Sequence, residues 1–209
     1  SAAEKGIEVR NTPDGPTLAV AELTLGLILT LLRQVPHQDR ELRSGVWKKR
    51  MGNLLHGKNV GIVGFGKIGQ AVAHLLEPFG VNVGYHDPFA DVPGYTRLEL
   101  DDLMGWADVI TLHCPKTENG APLLDLGRLS LRRPGSIILN IARGGLIDEK
   151  ALLGLLTAGH LAGAALDCFT KEPYDGPLKE MDNVILTPHI GSYAKEARII
   201  METDTIKNQ

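Results

Sequence analysis

The chain has 209 residues, 43% of them hydrophobic, with a formal net charge of -3. That length allows one large domain, or a domain and a half, around a substantial core. The weakly acidic balance gives no support to a nucleic-acid or anionic-membrane partner. Its two cysteines, Cys114 and Cys168, form no CxxC and join no ligand cluster legible along the chain. A disulfide scaffold or a metal site is therefore not expected, and a reducing, cytoplasmic setting is.

In chain order, Ala2–Gly6 reads as the tail of a helix closed by a glycine, and Ile7–Val9 as a short strand. Leu18–Leu32 is an apolar helix, with Thr17 as its expected cap and Pro36 as its expected stop. It contains Glu22 and falls short of the ~20 apolar residues of a membrane span, so it reads as a helix of a protein core. From Lys58 onward, short β-branched runs alternate with helix-like stretches. Strands are expected at Asn59–Val63, Val81–Tyr85, Asp108–Leu112, Ser136–Ile141, Ala162–Leu166 and Val184–Leu186. The stretch after the first strand places Ile68, Val72, Leu75, Leu76 and Phe79 on one helical face. Further helices are expected near Leu98–Trp106, at Leu123–Leu131, at Lys150–Leu156 with Gly159 as its stop, and at Glu196–Ile206. The alternation predicts an α/β fold with a parallel sheet and helices on both faces. Burial on both sides explains why its strands are continuous apolar runs.

Between the first strand and the first helix of this alternation lies Gly64–Phe65–Gly66–Lys67–Ile68–Gly69. Gly64 permits the tight turn, Gly66 lets a diphosphate approach the backbone, and Gly69, with small Ala73 after it, lets the helix pack close to the strand. The helix N-terminus then offers free N–H groups and partial positive charge to phosphates. Asp87, before Pro88 at the end of the second strand, is placed to accept hydrogen bonds from ribose hydroxyls and to repel a 2′-phosphate. Its plainer reading is a turn residue. Together these features predict a Rossmann-type doubly wound sheet that binds NAD rather than NADP.

Three ionisable residues stand just beyond later strands, where open α/β sheets gather ligands. They are Arg143, Glu172 and His189. Moving a hydride from an alcohol to a nicotinamide needs a group that takes the hydroxyl proton, and histidine suits that task. A neighbouring carboxylate stabilises the protonated ring, and Glu172 is the candidate. A guanidinium grips a carboxylate with two hydrogen bonds, which suits Arg143. Each also has an ordinary reading: a surface ion pair, a loop residue and a turn residue. Asp167 either bonds a carboxamide or caps the next turn. His113 and Cys114 either wall an adenine pocket or pack. Cys114 has no base near it in sequence and is not read as a nucleophile.

At these residues the chain resembles the D-2-hydroxyacid dehydrogenases. The likeness runs through Asn11–Thr12–Pro13–Asp14–Gly15, the glycine loop, His113–Cys114–Pro115, Asn140–Ile141–Ala142–Arg143–Gly144–Gly145, Glu172–Pro173 and Thr187–Pro188–His189–Ile190–Gly191. The wording is most like the phosphoglycerate dehydrogenase branch. The resemblance implies a catalytic set at Arg143, Glu172 and His189. It implies cofactor contacts at Lys67, Ile68, Asp87, Cys114, Ile141, Ala142, Arg143, Asp167, and from His189 through Gly191 to Ser192. It implies a 2-hydroxyacid or 2-oxoacid substrate and a homodimer through the cofactor domain, with Leu18–Leu32 and the Trp47 region in the interface. Lys116 departs from the family's common leucine. On this reading residues 1–16 are a hinge, 17–193 the NAD-binding domain, and 194–209 the start of a return helix toward a substrate domain whose first part is absent. The expectation is a chain that binds NAD but turns over poorly by itself. The alternatives are a glyoxylate or hydroxypyruvate reductase, and an NAD-sensing corepressor built on the same fold.

Overall fold

A computed structural model of the chain describes Gly6 and residues 15–207. The expected strand Ile7–Val9, and all but the last residue of both Ala2–Gly6 and Asn11–Gly15, lie outside the described residues.

Among the described residues seven parallel strands form one sheet: β1 (Asn59–Val63), β2 (Asn82–His86), β3 (Thr96–Arg97), β4 (Val109–Leu112), β5 (Ser136–Asn140), β6 (Leu161–Leu166) and β7 (Val184–Leu186), in the order β3-β2-β1-β4-β5-β6-β7. The chain runs outward from β1 through β2 to β3, then returns to β4 beside β1 and continues the other way. That reversal opens a crevice beyond the carboxyl ends of β1 and β4, where such sheets bind ligands.

Successive strand residues point to opposite faces, and each face carries its own core. Val60, Ile62, Val109, Ile137 and Leu139 meet the face covered by α1 (Thr17–Leu32) and α3 (Lys67–Leu76). Val63, Ile110, Leu112 and Ile138 meet the other face, together with residues of α4 (Leu100–Trp106), α5 (Leu126–Ser130) and α6 (Glu149–Thr157). Helix α4 sits close to the sheet because Gly61 of β1 and Gly84 of β2 are in register and carry no side chain. A Cβ on Gly61 would come within 2.6 Å of Ile110 Cδ1 and 3.0 Å of Leu103 Cγ, and one on Gly84 within 2.8 Å of the Trp106 ring.

Several boundaries differ from expectation. Pro16 occupies the capping position of α1 and Thr17 is its first helical residue, so Thr17 is not the cap. Pro36 does not close α1. The backbone turns at Gln34, with φ of 52°, and Pro36 enters the first turn of α2 (Val35–Arg43), where a missing N–H costs no helical bond. Helix α2 buries no residue, which is why apolar periodicity did not reveal it. Helix α5 is shorter than Leu123–Leu131: Leu124 is drawn into a bridge with Ile147, and the Asp125 carboxylate caps the helix by accepting from Arg128 N–H. Strand β3 has two exposed residues, too few to show any alternation.

Among the described residues no single helix is long and apolar enough to cross a membrane; α1 and α2 together pass on length and composition but are bent by 61°. The apolar character of α1 is spent on the sheet, where Ala21 and Ile28 are fully buried.

Filling the smooth patch under α4 tests this packing. Gly61→Val is expected to lower stability by about 1–3 kcal/mol through overpacking, read as a reduced urea midpoint with an unchanged slope.

Candidate cofactor and catalytic site

Beyond β1 the chain turns at Gly64, whose φ of +90° suits glycine. The turn is pressed against the exit of β4: a Cβ on Gly64 would lie 2.6 Å from the His113 carbonyl carbon. Gly69 is held as tightly, since its Cβ would meet Gly64 O at 2.2 Å. Gly66, the N-cap of α3, differs from both. A Cβ there meets no atom of the described residues within 4 Å. Packing within this chain thus requires Gly64 and Gly69 but not Gly66, and what Gly66 provides is open backbone at a helix N-terminus. That is the feature a diphosphate needs, so the loop fits a bound dinucleotide.

Asp87 does structural work in this loop. Its Oδ2 accepts Phe65 N–H at 2.7 Å, and its Oδ1 accepts Phe89 and Ala90 N–H at 2.8 and 2.9 Å. Burial works to raise its pKa, and the three backbone donors outweigh it, so the carboxyl is held below the ordinary range. It is a turn residue at the mouth of the glycine loop, with acceptor capacity remaining for further donors. The Phe65 ring is fully buried and stacks on Tyr85 at 4.0 Å, and its N–H is taken by Asp87. Pro88 is exposed, and its carbonyl accepts from Arg97.

Ile68 at the start of α3 shares one cleft of about 480 Å³ with residues from the exits of four strands. His113, Cys114 and Pro115 follow β4. Ile141, Ala142 and Arg143 follow β5. Asp167 follows β6, and His189, Gly191 and Ser192 follow β7. Pro16, Val20 and Met201 also line this cleft. They were not anticipated, because apolar residues carry no chemical signal and Met201 arrives from α7 (Lys195–Lys207), far along the chain.

Each exit is held by hydrogen bonds. The buried Asn140 side chain donates to Arg143 O at 2.9 Å and accepts Ala142 N–H at 3.2 Å, which shapes the turn carrying Arg143. Asp167 is 1% exposed. Its Oδ1 accepts Thr187 Oγ1–H at 2.6 Å and Ile190 N–H at 2.8 Å, and its Oδ2 accepts Gly191 N–H at 2.8 Å. It therefore ties down the segment that carries His189, whose φ of 55° is unusual for a side-chain-bearing residue.

His189 Nδ1 lies 3.0 Å from Glu172 Oε2, and the other carboxylate oxygen accepts Phe169 N–H at 3.0 Å. The His189 bond, followed by the Phe169 N–H, holds the Glu172 carboxyl below the ordinary value of 4.5. The pair's contribution to stability is present above that ordinary value and is lost as pH falls through the lowered one. The Arg143 guanidinium donates one bond to Ala142 O at 2.7 Å and is exposed.

The remaining titratable groups of the cleft are uncharged near neutrality. Burial pushes His113 down to about 3 and Cys114 up to about 11. Nδ1 of His113 is buried with no hydrogen-bond partner in the described structure, while Nε2 pairs with Thr111 Oγ1 at 2.9 Å. Cys168 corrects the expectation that neither cysteine joins a ligand cluster. The fold places its sulfur, a Glu172 oxygen and a His189 nitrogen within 4.8 Å of one another.

A family model described as D-isomer specific 2-hydroxyacid dehydrogenase, NAD binding domain, matches residues 25–191. A D-3-phosphoglycerate dehydrogenase from Mycobacterium bovis is 41% identical over 100% of the chain, which spans only 41% of that relative's length. The structure superposes with a TM-score of 0.93 on a glyoxylate reductase from Paecilomyes thermophila, at 33% identity, covering 99% of this chain and 65% of that one. A D-lactate dehydrogenase from Aquifex aeolicus, complexed with NAD and lactic acid, gives a TM-score of 0.90 at 28% identity, covering 99% and 69%.

The anchoring role of Asp167 is testable. Asp167→Asn turns one acceptor into a donor facing backbone N–H or hydroxyl donors. It is expected to cost about 1–3 kcal/mol and to increase amide exchange at Ile190 and Gly191 selectively.

Proposed function

The chain belongs to the D-isomer specific 2-hydroxyacid dehydrogenase family, over its NAD binding domain, and on that premise we propose that its protein oxidises D-3-phosphoglycerate to 3-phosphohydroxypyruvate, a reaction serving serine biosynthesis. The observation that carries the reading is the bond from Glu172 to His189, which itself lines the cleft that also holds Arg143 and Ile68 at the start of α3.

Because Nδ1 of His189 is engaged by Glu172, Nε2 is the ring atom left to act. Nε2 takes the proton of the substrate hydroxyl as the hydride leaves the same carbon. Glu172 orients the ring and balances the charge it gains. Arg143 keeps most of its donor fork available for the substrate carboxylate. NAD, when bound, would supply the hydride acceptor. The glycine loop and the start of α3 would hold its diphosphate, and Asp87 would take the adenosine ribose hydroxyls and disfavour a 2′-phosphate.

The similarity to a glyoxylate reductase favours a second reading, reduction of glyoxylate or hydroxypyruvate through the same residues run in reverse. We also assign a homodimer, supported by the exposed Trp47, Met51 and Leu54 between α2 and β1, and a reducing compartment, supported by two free thiols.

Assays of the protein on a panel of 2-hydroxyacids decide the substrate. Turnover on D-3-phosphoglycerate with NAD is expected, with kcat falling by roughly 10²–10⁴-fold in His189→Asn. Turnover undiminished in that variant would overturn the mechanism. For the cofactor, calorimetry on this chain is expected to show NAD bound more tightly than NADP. Asp87→Ala should narrow that ratio by about tenfold, some 1.4 kcal/mol. The ratio isolates the ribose contact, because loss of the Phe65 tether affects both cofactors alike.

A further inference from the structure

The sulfur of Cys168, a carboxylate oxygen of Glu172 and a ring nitrogen of His189 all lie within 4.8 Å of one another. Thiolate, imidazole and carboxylate together form a set suited to borderline divalent ions such as Zn²⁺, and three protein ligands with one position open is a familiar Zn²⁺ arrangement. The surroundings carry charges of both signs, since Arg143 acts on Cys168 and Lys116 on Glu172. Asp167 adjoins Cys168 in sequence and is buried at 1% exposure. The side chains of His189 and Glu172 are 50% and 40% exposed, so an ion can enter from solvent onto the buried sulfur beneath.

We propose that Cys168, Glu172 and His189 form a binding site for Zn²⁺ or a similar borderline divalent ion, and that occupancy blocks proton transfer at His189. On binding, the Cys168 thiol loses its proton to solvent and gives up its 3.5 Å contact to Ala142 O. The metal replaces the hydrogen between His189 Nδ1 and Glu172 Oε2, now 3.0 Å apart; that proton is taken up at Nε2 through solvent, so the imidazole stays neutral as its other tautomer and the one proton released is that of the thiol. A ring that carries hydrogen on Nε2 and metal on Nδ1 has no lone pair left to accept a hydroxyl proton. Binding itself needs only the geometry. The block rests on the proposed role of His189.

The probes are Zn²⁺, in competition with a chromogenic chelator, and Co²⁺, which reports a thiolate ligand through an ultraviolet charge-transfer band. One equivalent of each is expected to bind this chain, with release of a proton and with the thiolate band for Co²⁺. Cys168→Ala should abolish the band and weaken Zn²⁺ by tenfold or more. If the alanine variant melts early, Cys168→Val keeps the space filled and serves the same test. Unchanged Zn²⁺ affinity in the variant, or Co²⁺ bound without the band, would overturn the site. Other surface histidines and carboxylates cannot imitate the band. In the active protein, Zn²⁺ should inhibit reversibly, and Cys168→Ala should relieve inhibition. Metal binding without inhibition would sink the block alone, while absence of any dehydrogenase turnover would leave the binding result standing.

Discussion

One buried carboxylate, Asp167, organises the edge of the sheet that carries His189. Asp167 leaves β6 with almost no solvent contact and accepts a hydroxyl and two N–H groups from the segment beyond β7. A buried charge is tolerable only where its lone pairs are met, so the requirement acts in both directions. The segment satisfies the charge, and the charge dictates where the segment lies. His189 sits between these anchored residues in a left-handed backbone conformation. Its approach to Glu172 follows from that restraint, since the pair itself is half exposed and contributes little to stability by itself.

The nucleotide edge depends on a different constraint, the close approach of backbones. Gly64 lies against the exit of β4, and Gly69 against Gly64. Any side chain at either position would push the start of α3 away from the crevice. Asp87 then closes the arrangement by drawing Phe65 N–H toward the end of β2, while the Phe65 ring is clamped in the core against Tyr85. The loop is thereby pre-formed, which reduces the ordering cost of binding. Buried groups elsewhere in the cleft are kept neutral: desolvation lowers His113 and raises Cys114. Arg143 and the Glu172–His189 pair are the more exposed polar groups of this region.

Cys168 shows how one position can serve two requirements. Its side chain packs at 2% exposure, yet its sulfur borders the Glu172–His189 pair. The thiol also donates to Ala142 O at 3.5 Å.

Apart from α2 and β3, the order of strands and helices was legible in the sequence alone, because strands buried on both faces must be continuous apolar runs and the helices between them must carry one apolar face. The glycine loop was legible for a similar reason: its steric demands are local, so the residues that meet them are adjacent. Arg143, Glu172 and His189 were visible as individuals, each at the exit of a strand, but spacing along the chain says nothing about whether such exits converge. Tertiary structure decided that Glu172 and His189 touch, that the Phe65 ring packs in the core, and that Cys168 joins the pair. It also decided that Pro36 opens a helix instead of ending one, and that Pro16, Val20 and Met201 wall the cleft. Contacts between residues distant in the chain are set by how the sheet twists and how its two layers pack, and no local pattern of residues encodes that geometry.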